Sequence, residues 1–267
     1  MMRECGQLVK TPTMLTAQRK ELILERLARD GQLIAKAFSE ELAISEDTVR
    51  RDLRELALAG KLQRVHGGAL PASAAIGDMA VREKVAPDDK LALGRAGAAM
   101  VKPGQLVILD GGTTAAQVAR QLPHGLRATM VTHSPTVAVE LAQHPHLEII
   151  MLGGRLFRHS MVNVGAAVVE AASRLRADLY FMGVTGVHPE AGLSTGDHEE
   201  AAVKRALHAC AAETVVLASS EKLGAASTFV VAPLVELAAL VVPPGTSRRI
   251  LRPFRAAGTQ VVLASSP

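Results

Sequence analysis

Hydrophobic and polar positions divide this 267-residue chain into two styles, with a seam near residue 75. Over residues 16–70 the apolar positions recur at helical spacing in short segments. Leu22, Ile23 and Leu27 share one face of a helix predicted from about Ala17 to Arg29, capped by Thr16 and stopped by Gly31. A short strand is predicted within Gln32–Ala35 and a second helix over about Ala37–Leu42. Ala43-Ile44-Ser45 is a tight connection ending in an N-cap residue. A third helix then runs from Glu46 to about Ala59 and closes at Gly60. Lys61–Val65 alternates, and His66-Gly67-Gly68 supplies a turn. Pro71–Ile76 is rich in small residues and reads as a seam, while Asp78–Lys90 is charged and in part helical.

From about residue 88 apolar strands alternate with helical patterns. Strands are predicted at Leu106–Leu109, Thr129–Val131, Glu148–Leu152, Leu179–Gly183, Thr214–Ala218, Ala239–Val242 and Gln260–Leu263. Helices fill most gaps, at Thr114–Leu122, Pro135–Gln143, Val164–Arg174 and Glu199–Ala212. Near-continuous apolar strands separated by helices imply an α/β domain with a mostly parallel sheet. The organisation expected is a helix-and-hairpin unit over 14–70, a linker over 71–87 and an α/β unit over 88–267.

Composition narrows the class. Apolar residues make up 48% and charged residues 21%, ordinary for a globular protein able to bury its own core. The two cysteines, Cys5 in the N-terminal tail and Cys210, make neither a disulfide framework nor a zinc site. Met1–Met14 lacks the apolar region of a signal peptide, and Phe229–Val242 is too short to span a bilayer, so a cytoplasmic protein is expected. Aromatics are only 2%, which argues against a base-stacking surface for single strands. The net charge of +4 is evenly spread: residues 1–70 carry 12 Lys/Arg against 10 Asp/Glu, the remainder 18 against 16. Bulk charge therefore does not decide whether nucleic acid binds, and local arrangement must.

That arrangement is found at Ser45–Leu53. Val49, Leu53 and Leu56 face inward at i, i+4, i+7, leaving Thr48, Arg50, Arg51 and Arg54 on the outer arc behind the Ser45 cap. Polar and basic residues on the first turns suit a helix that reads the major groove, where arginine forks fit guanine edges or phosphate. Lys61, Arg64 and His66 on the following hairpin would reach the DNA backbone as a wing. The plainer reading is a solvated helix, since Glu46–Arg50, Asp47–Arg51 and Arg51–Glu55 are all i, i+4 acid–base pairs. The order helix–turn–helix–hairpin favours DNA. Arg19, Ile23 and Leu27, then Ser45, Thr48, Val49, Arg50, Arg51, Asp52 and Leu53, then Arg64–Ala69, together resemble the DeoR-type winged helix-turn-helix of bacterial repressors. The second helix departs from that pattern, beginning within Ala35-Lys36-Ala37-Phe38 without a small polar or β-branched start.

In the larger part, Leu106–Asp110 leads through Gly111-Gly112 to Thr113-Thr114, a strand, a glycine loop and a helix start that exposes amides for an anion. The spacings of dinucleotide and nucleoside-triphosphate loops are absent. Other strand ends carry Thr132-His133-Ser134, Gly153-Gly154, Gly183-x-x-Gly186 and Ser219–Lys222, and Glu200 with Lys204 sit at i, i+4 on a helix. Taken alone, the last pair reads equally as a surface ion pair. His144, His146, His188 and His208 are scattered and read as surface residues, and only His133 is placed in a cleft. No metal and no cofactor are expected.

These strings are similar to the DeoR C-terminal effector domain, related to ribose-5-phosphate isomerase and glucosamine-6-phosphate deaminase folds, so that the resemblance spans about residues 16–245. It implies a repressor that senses a phosphorylated sugar or related intermediate. The implied pocket comprises Asp110, Gly111, Gly112, Thr113, Thr114, Thr132, His133, Ser134, Gly153, Gly154, Gly183, Gly186, Glu200, Lys204 and Lys222. The family often has Asn at His133, Asp at Ser219 and Pro at Ala166, and the first two positions are expected on the pocket rim. The partners implied are operator DNA, the small effector and further copies of the chain, as a dimer or tetramer. Two alternatives stand beside this: a sugar-phosphate isomerase or deaminase with an appended DNA module, in which Asp110, Asp197, Glu200, Lys204 and Lys222 supply acid and base, and a large domain used mainly for oligomerisation.

Overall fold

In the computed structural model, which describes residues 14–73, 77 and 79–265, the chain forms two units that divide between Pro71 and Ala72. Cys5 and the Met1 end lie outside the described residues. The first unit contains helices α1 (Thr16–Asp30), α2 (Ala35–Glu41) and α3 (Glu46–Leu58), and strands β1 (Leu33–Ile34), β2 (Leu62–Val65) and β3 (Gly68–Pro71). Ile23, Leu27, Phe38, Val49, Leu53 and Leu56 bury themselves between the helices and the small sheet β1-β3-β2. Gly31, at φ +75°, ends α1, a left-handed position that suits glycine. Thr16 lies inside α1 rather than capping it. Leu15 is the N-cap, and its N–H donates to the Gln18 side chain at 3.3 Å. The second helix starts two residues earlier than the pattern predicts, directly from β1 and without a side-chain cap. Its first amides find partners elsewhere, for Ala35 N–H donates to Gly67 O at 2.8 Å.

The second unit is longer. It begins with α4 (Met79–Lys84), which lies within the stretch read as linker, and α5 (Pro87–Met100). There follow β4 (Leu106–Leu109), α6 (Thr113–Gln121), β5 (Thr129–Thr132), α7 (Pro135–Leu141), β6 (Glu148–Met151), β7 (Arg155–Phe157), β8 (Val162–Val164) and α8 (Ala166–Ser173). The remainder is β9 (Ala177–Met182), β10 (Gly186–His188), β11 (Gly192–Thr195), α9 (His198–Ala209), β12 (Ala211–Leu217), β13 (Phe229–Ala232), β14 (Ala239–Val242), α10 (Arg248–Ala256) and β15 (Val261–Leu263). All seven predicted strands join one sheet, in the order β15-β14-β12-β9-β4-β5-β6, and every pairing is parallel. Val164 and Ala211-Ala212, read as helix ends, are strand residues. β7 with β8, and β10-β11-β13, form two small antiparallel additions.

Alternating side chains of each central strand feed opposite cores. Ile108, Tyr180 and Met182 pack with Val168, Leu207 and Phe254 on one face of the sheet. Val107, Leu109 and Phe181 pack with Leu93, Val118 and Leu141 on the other. Both faces are covered, so both parities of the strand are apolar. Strand order runs outward in both directions from β4 and β9, which makes the gap between them the switch point of the topology. In open α/β sheets ligands bind beyond the carboxyl ends of the strands at such a point.

One close approach in the winged unit gives a test. A Cβ at Gly68 would stand 1.8 Å from the Leu33 carbonyl oxygen, on a backbone pinned by the β1–β3 pairing. Gly67, at φ +77°, has open space around it. Gly68→Ala is expected to cost the winged unit about 3 kcal/mol through overpacking, whereas Gly67→Ala costs about 1 kcal/mol through backbone strain alone. Urea denaturation of the full chain, followed by hydrogen exchange in residues 16–71, separates the two.

Candidate functional site

Two sites arise from this architecture. In the winged unit a buried ion pair sets the pose of α3. Asp52, wholly buried on its inner face, accepts from Arg19 of α1 through Nε and through Nη2, the latter at 3.1 Å. The Ser45 Oγ accepts from Thr48 N–H at 3.2 Å and lies 2.8 Å from Thr48 Oγ1, so the first turn is capped. The outer face is thereby fixed with Arg50, Arg51 and Arg54 exposed. Arg50 pairs with Glu46 at 2.7 Å, but the other two predicted i, i+4 pairs do not form: Glu55 is taken by Lys20 at 2.5 Å, and Asp47 lies 4.0 Å from Arg50 instead. Arg51 and Arg54 have no ion pair among the described residues. Lys61, Arg64 and His66 are exposed along the β2–β3 hairpin. The structure brings all eight predicted residues to one helix and one hairpin.

The second site lies at the switch point of the large sheet. Asp110 follows β4 and is fully buried. Its Oδ1 accepts from His133 Nε2 and Gly111 N–H, both at 2.7 Å. Its Oδ2 accepts from Tyr180 Oη at 2.7 Å, Gly183 N–H at 2.8 Å and Lys204 Nζ at 2.9 Å. Burial alone would raise the carboxyl, but the Lys204 charge and the His133 hydrogen bond reverse this and hold it far below the usual range. Burial would likewise lower Lys204, yet Asp110 and Glu200, the latter at 3.1 Å, carry it above its ordinary value. Burial and the adjacent Asp110 charge push Tyr180 well up, so it stays a donor. Both nitrogens of His133 lie within hydrogen-bond distance of oxygens, those of Asp110 and of the Asn163 carbonyl at 2.8 Å.

A pocket opens above this cluster. Of the predicted residues, Gly111, Gly112, Thr113, Thr114, Gly183, Glu200, Lys204 and Lys222 line it. Asp110 lies beneath, bonded to the lining residues Gly111, Gly183 and Lys204. His133 and Ser219 are also wholly buried, which corrects their placement on a rim. Thr132 is buried and accepts from Ser134 N–H at 3.1 Å, while Ser134 Oγ donates to Met161 O at 2.9 Å. Gly154 and Gly186 serve packing, since a Cβ would meet Val164 O at 2.8 Å or Ala225 O at 2.6 Å; Gly153 is exposed beyond β6, and none of these three lines the pocket. His144 and His188 are buried, not surface residues. His144 Nε2 bonds Ala119 O at 2.8 Å, and His188 Nδ1 accepts from Glu190 N–H at 3.2 Å.

The pocket suits an anion. Gly112, at φ +107°, precedes α6 and lets Thr113, Thr114 and Ala115 present first-turn amides that have no intrahelical acceptor. Thr114 is buried, and its Oγ1 has no hydrogen-bond partner among the described residues. Lys222 stands across from them on a single helical turn, Ser220–Lys222. Burial, then repulsion from Lys90, Arg82 and Lys204, lowers Lys222 to about 8 against the opposing pull of Glu221. Sequence reasoning missed Arg82, Lys90 and Ser160 in the lining, and Thr185 and Glu221, within strand ends it singled out, join them. Charge on the Asp78–Lys90 stretch was the available signal for the first two. Among the described residues no group of His, Cys, Asp and Glu could hold a metal, and no helix is long and apolar enough to cross a membrane.

Residues 19–74 match the family model of the DeoR-like helix-turn-helix domain, and residues 85–243 that of the DeoR C terminal sensor domain. The chain belongs to the DeoR family. It is thus a DNA-binding transcriptional regulator. It is 34% identical over 226 residues to the HTH-type transcriptional regulator GlpR of Haloferax volcanii, covering 84% of this chain and 88% of that one. The HTH-type transcriptional repressor GlcR of Bacillus subtilis is 30% identical, with 85% and 88% covered. The glycerol-3-phosphate regulon repressor of Escherichia coli is 29% identical, with 79% and 84% covered. Among solved structures, ribose 5-phosphate isomerase A of Methanocaldococcus jannaschii aligns at a TM-score of 0.38 and 20% identity, over 51% of this chain and 54% of that one.

The Asp110 cluster yields a stability prediction. Lys204→Met in this DeoR-family chain removes the ammonium from the buried Asp110 and Glu200 carboxylates and is expected to cost about 3–5 kcal/mol. Glu199→Gln removes only an exposed pair with Arg155 and should cost under about 1 kcal/mol. Urea midpoints of the two variants against the parent decide it, and equal midpoints would remove Asp110 as the keystone of the site.

Proposed function

We propose that this regulator is a repressor of sugar or carbohydrate catabolism genes, acting in the cytoplasm as a homo-oligomer and relieved by a phosphorylated sugar or a related intermediate. The observation that carries this reading is the pocket at the β4–β9 switch point. There a helix N-terminus, an unpartnered buried Thr114 hydroxyl and four cations outweigh two carboxylates, on the same chain as an exposed Arg50-Arg51-Arg54 face. The cations of the lining outnumber its carboxylates, which suits an anion such as a phosphomonoester, and the adjoining Glu200, Glu221, Ser160 and Thr185 offer partners for hydroxyl groups. That one relative is named for a glycerol-3-phosphate regulon fits a phosphorylated effector here.

On DNA, two recognition helices would enter major grooves roughly 34–36 Å apart. Thr48, Arg50 and Arg51 read or position, while Ser45, Arg54, Lys61, Arg64 and His66 hold the backbone. Arg50 can leave Glu46 at small cost, because an exposed pair is worth at most about 1 kcal/mol. Regulation without turnover is favoured because Asp110 has all its acceptor positions engaged and Glu200 is paired with Lys204, so neither is a ready base for proton abstraction from a sugar.

Gel-shift titration on the DNA upstream of the protein's own gene, with and without a panel of sugar phosphates, tests both halves. A specific shift abolished by one sugar phosphate is expected. Arg50→Ala and Arg51→Ala should each weaken that shift by about 1–3 kcal/mol. Unchanged affinity in the double variant would contradict the assigned DNA face. No specific shift, together with turnover of a panel member, would restore the isomerase reading.

The lowered Lys222 gives a pH signature. Its amine is charged below about 8 and neutral above, so anion affinity should be highest below pH 8 and fall as pH rises through it, by at most tenfold per unit. Between pH 7 and 9 a phosphomonoester is already fully ionised, with its second pKa near ~6, so the trend reports the protein. Lys222→Arg should flatten the profile in calorimetric titrations, and an equally flat profile in the parent would dismiss Lys222 as an anion ligand.

A further inference from the structure

Lys90 joins three parts of the sensor unit. It lies on the first turn of α5, is only 3% exposed, and lines the pocket. Its Nζ donates to the carbonyl oxygens of Arg82 and Val85, which close the last turn of α4. The neighbouring Asp89 accepts from Ser220 N–H at 3.0 Å and Ser220 Oγ at 2.7 Å, fixing the short turn that carries Glu221 and Lys222. From α4, Arg82 reaches over to the β7–β8 turn, donating to His159 O at 3.1 Å, and it too lines the pocket. The α4–α5 corner thus forms a wall of the pocket, and α4 is the first helix that follows the winged unit in the chain.

The corner is strained. Ala86 holds φ +45° and ψ +55°, a left-handed conformation, and it precedes Pro87. A non-glycine residue there costs of order 1–3 kcal/mol, and a following proline disfavours helical backbone further. What opposes this strain is the Lys90 ammonium on the Arg82 and Val85 carbonyls. An ammonium has three N–H donors, and two are used there. The third is available to the pocket. No carboxylate lies within ion-pair distance of Lys90 among the described residues, so the cation is held by neutral carbonyls. Burial lowers its pKa accordingly, with Glu221 the largest opposing influence. An anion beside it would supply the missing counter-charge.

We propose that Lys90 is the positioning residue through which the pocket controls α4: a bound anion takes its third N–H, completes the charge pair and locks the strained α4–α5 corner. This rests on the pocket being a phosphate site, and it adds the regulation of that site. The signal is carried as order in residues 79–90, not as a movement of the sheet. Ligand and operator are then linked through the equilibrium of one corner between locked and loosened states.

Hydrogen exchange of the full chain, read over residues 79–90 with and without saturating inorganic phosphate, tests this directly. Calorimetry on the same samples reports whether phosphate binds. In the parent, phosphate should slow exchange in 79–90 by about tenfold. In Lys90→Met, phosphate should bind more weakly, through Lys222, Arg82 and the α6 amides, and at concentrations that calorimetry shows to be saturating the slowing over 79–90 should vanish. Two results would overturn the proposal while leaving the pocket reading intact: phosphate binding to the parent with no change over 79–90, or equal slowing in Lys90→Met. Absence of phosphate binding to the parent would sink the pocket reading and the relay together. The parent measurement alone keeps the proposal falsifiable if Lys90→Met does not fold.

Discussion

The large unit depends on one carboxylate. Asp110 sits where the strand order reverses, and its two oxygens take five donors drawn from β4, β9, α9 and the loop after β5. A buried charge is tolerated only when it is paired and hydrogen-bonded, so every one of those elements is held in register by the same requirement. Gly183 marks how close the approach is: a Cβ there would come within 2.9 Å of the Gly111 carbonyl oxygen. The consequence is a rigid floor at the switch point. Lys204 stands with one face on Asp110 and the other toward the pocket, and Glu200 at 3.1 Å balances it. The floor therefore brings little net charge to a ligand, and the excess of positive charge comes from the walls.

The winged unit uses the same device at smaller scale. Arg19 and Asp52 form a buried two-pronged pair between α1 and α3. Its effect is orientational. A helix anchored by Val49, Leu53 and Leu56 alone could roll about its axis by a fraction of a turn, and the planar arginine fork fixes that roll. With the inner acid committed to Arg19 and Glu55 committed to Lys20, Arg51 and Arg54 on the outer face form no ion pair among the described residues. A helix that were merely solvated would have spent those acids on its own arginines.

The parts legible in the sequence are those set by local pattern. Seven apolar runs become the seven strands of the parallel sheet, and Ser45 and Gly60 bracket the third helix because caps and left-handed glycines are local requirements. What stayed hidden is set by distance in the fold. Nothing near Lys90 in sequence signals that it faces Lys222, 132 positions later, or that Asp89 caps the turn carrying it. His133 reads as a cleft residue because it follows a strand, yet burial of its ring between Asp110 and Asn163 is decided by β8, too short and too mixed to be recognised. Thr16 misleads in the other direction, since a good capping residue next to an apolar pattern lies inside the helix when Gln18 satisfies the amide of Leu15.

The positions of the pocket cations carry a last step. Lys204 is bound to the sheet floor, Lys222 to a single turn tied back by Asp89, and Arg82 and Lys90 to the α4–α5 corner. A dianion that satisfies them all must contact three separately anchored pieces of chain. An enzyme gains from such an arrangement only if a base or acid is also free to act, and the carboxylates nearest the floor are already engaged. A sensor gains from the arrangement itself, because binding energy spent on drawing separate elements together is what shifts an equilibrium between two states. The pocket cations also repel one another, as the lowering of Lys222 by Lys90, Arg82 and Lys204 shows, and two of them sit on the strained corner at Ala86.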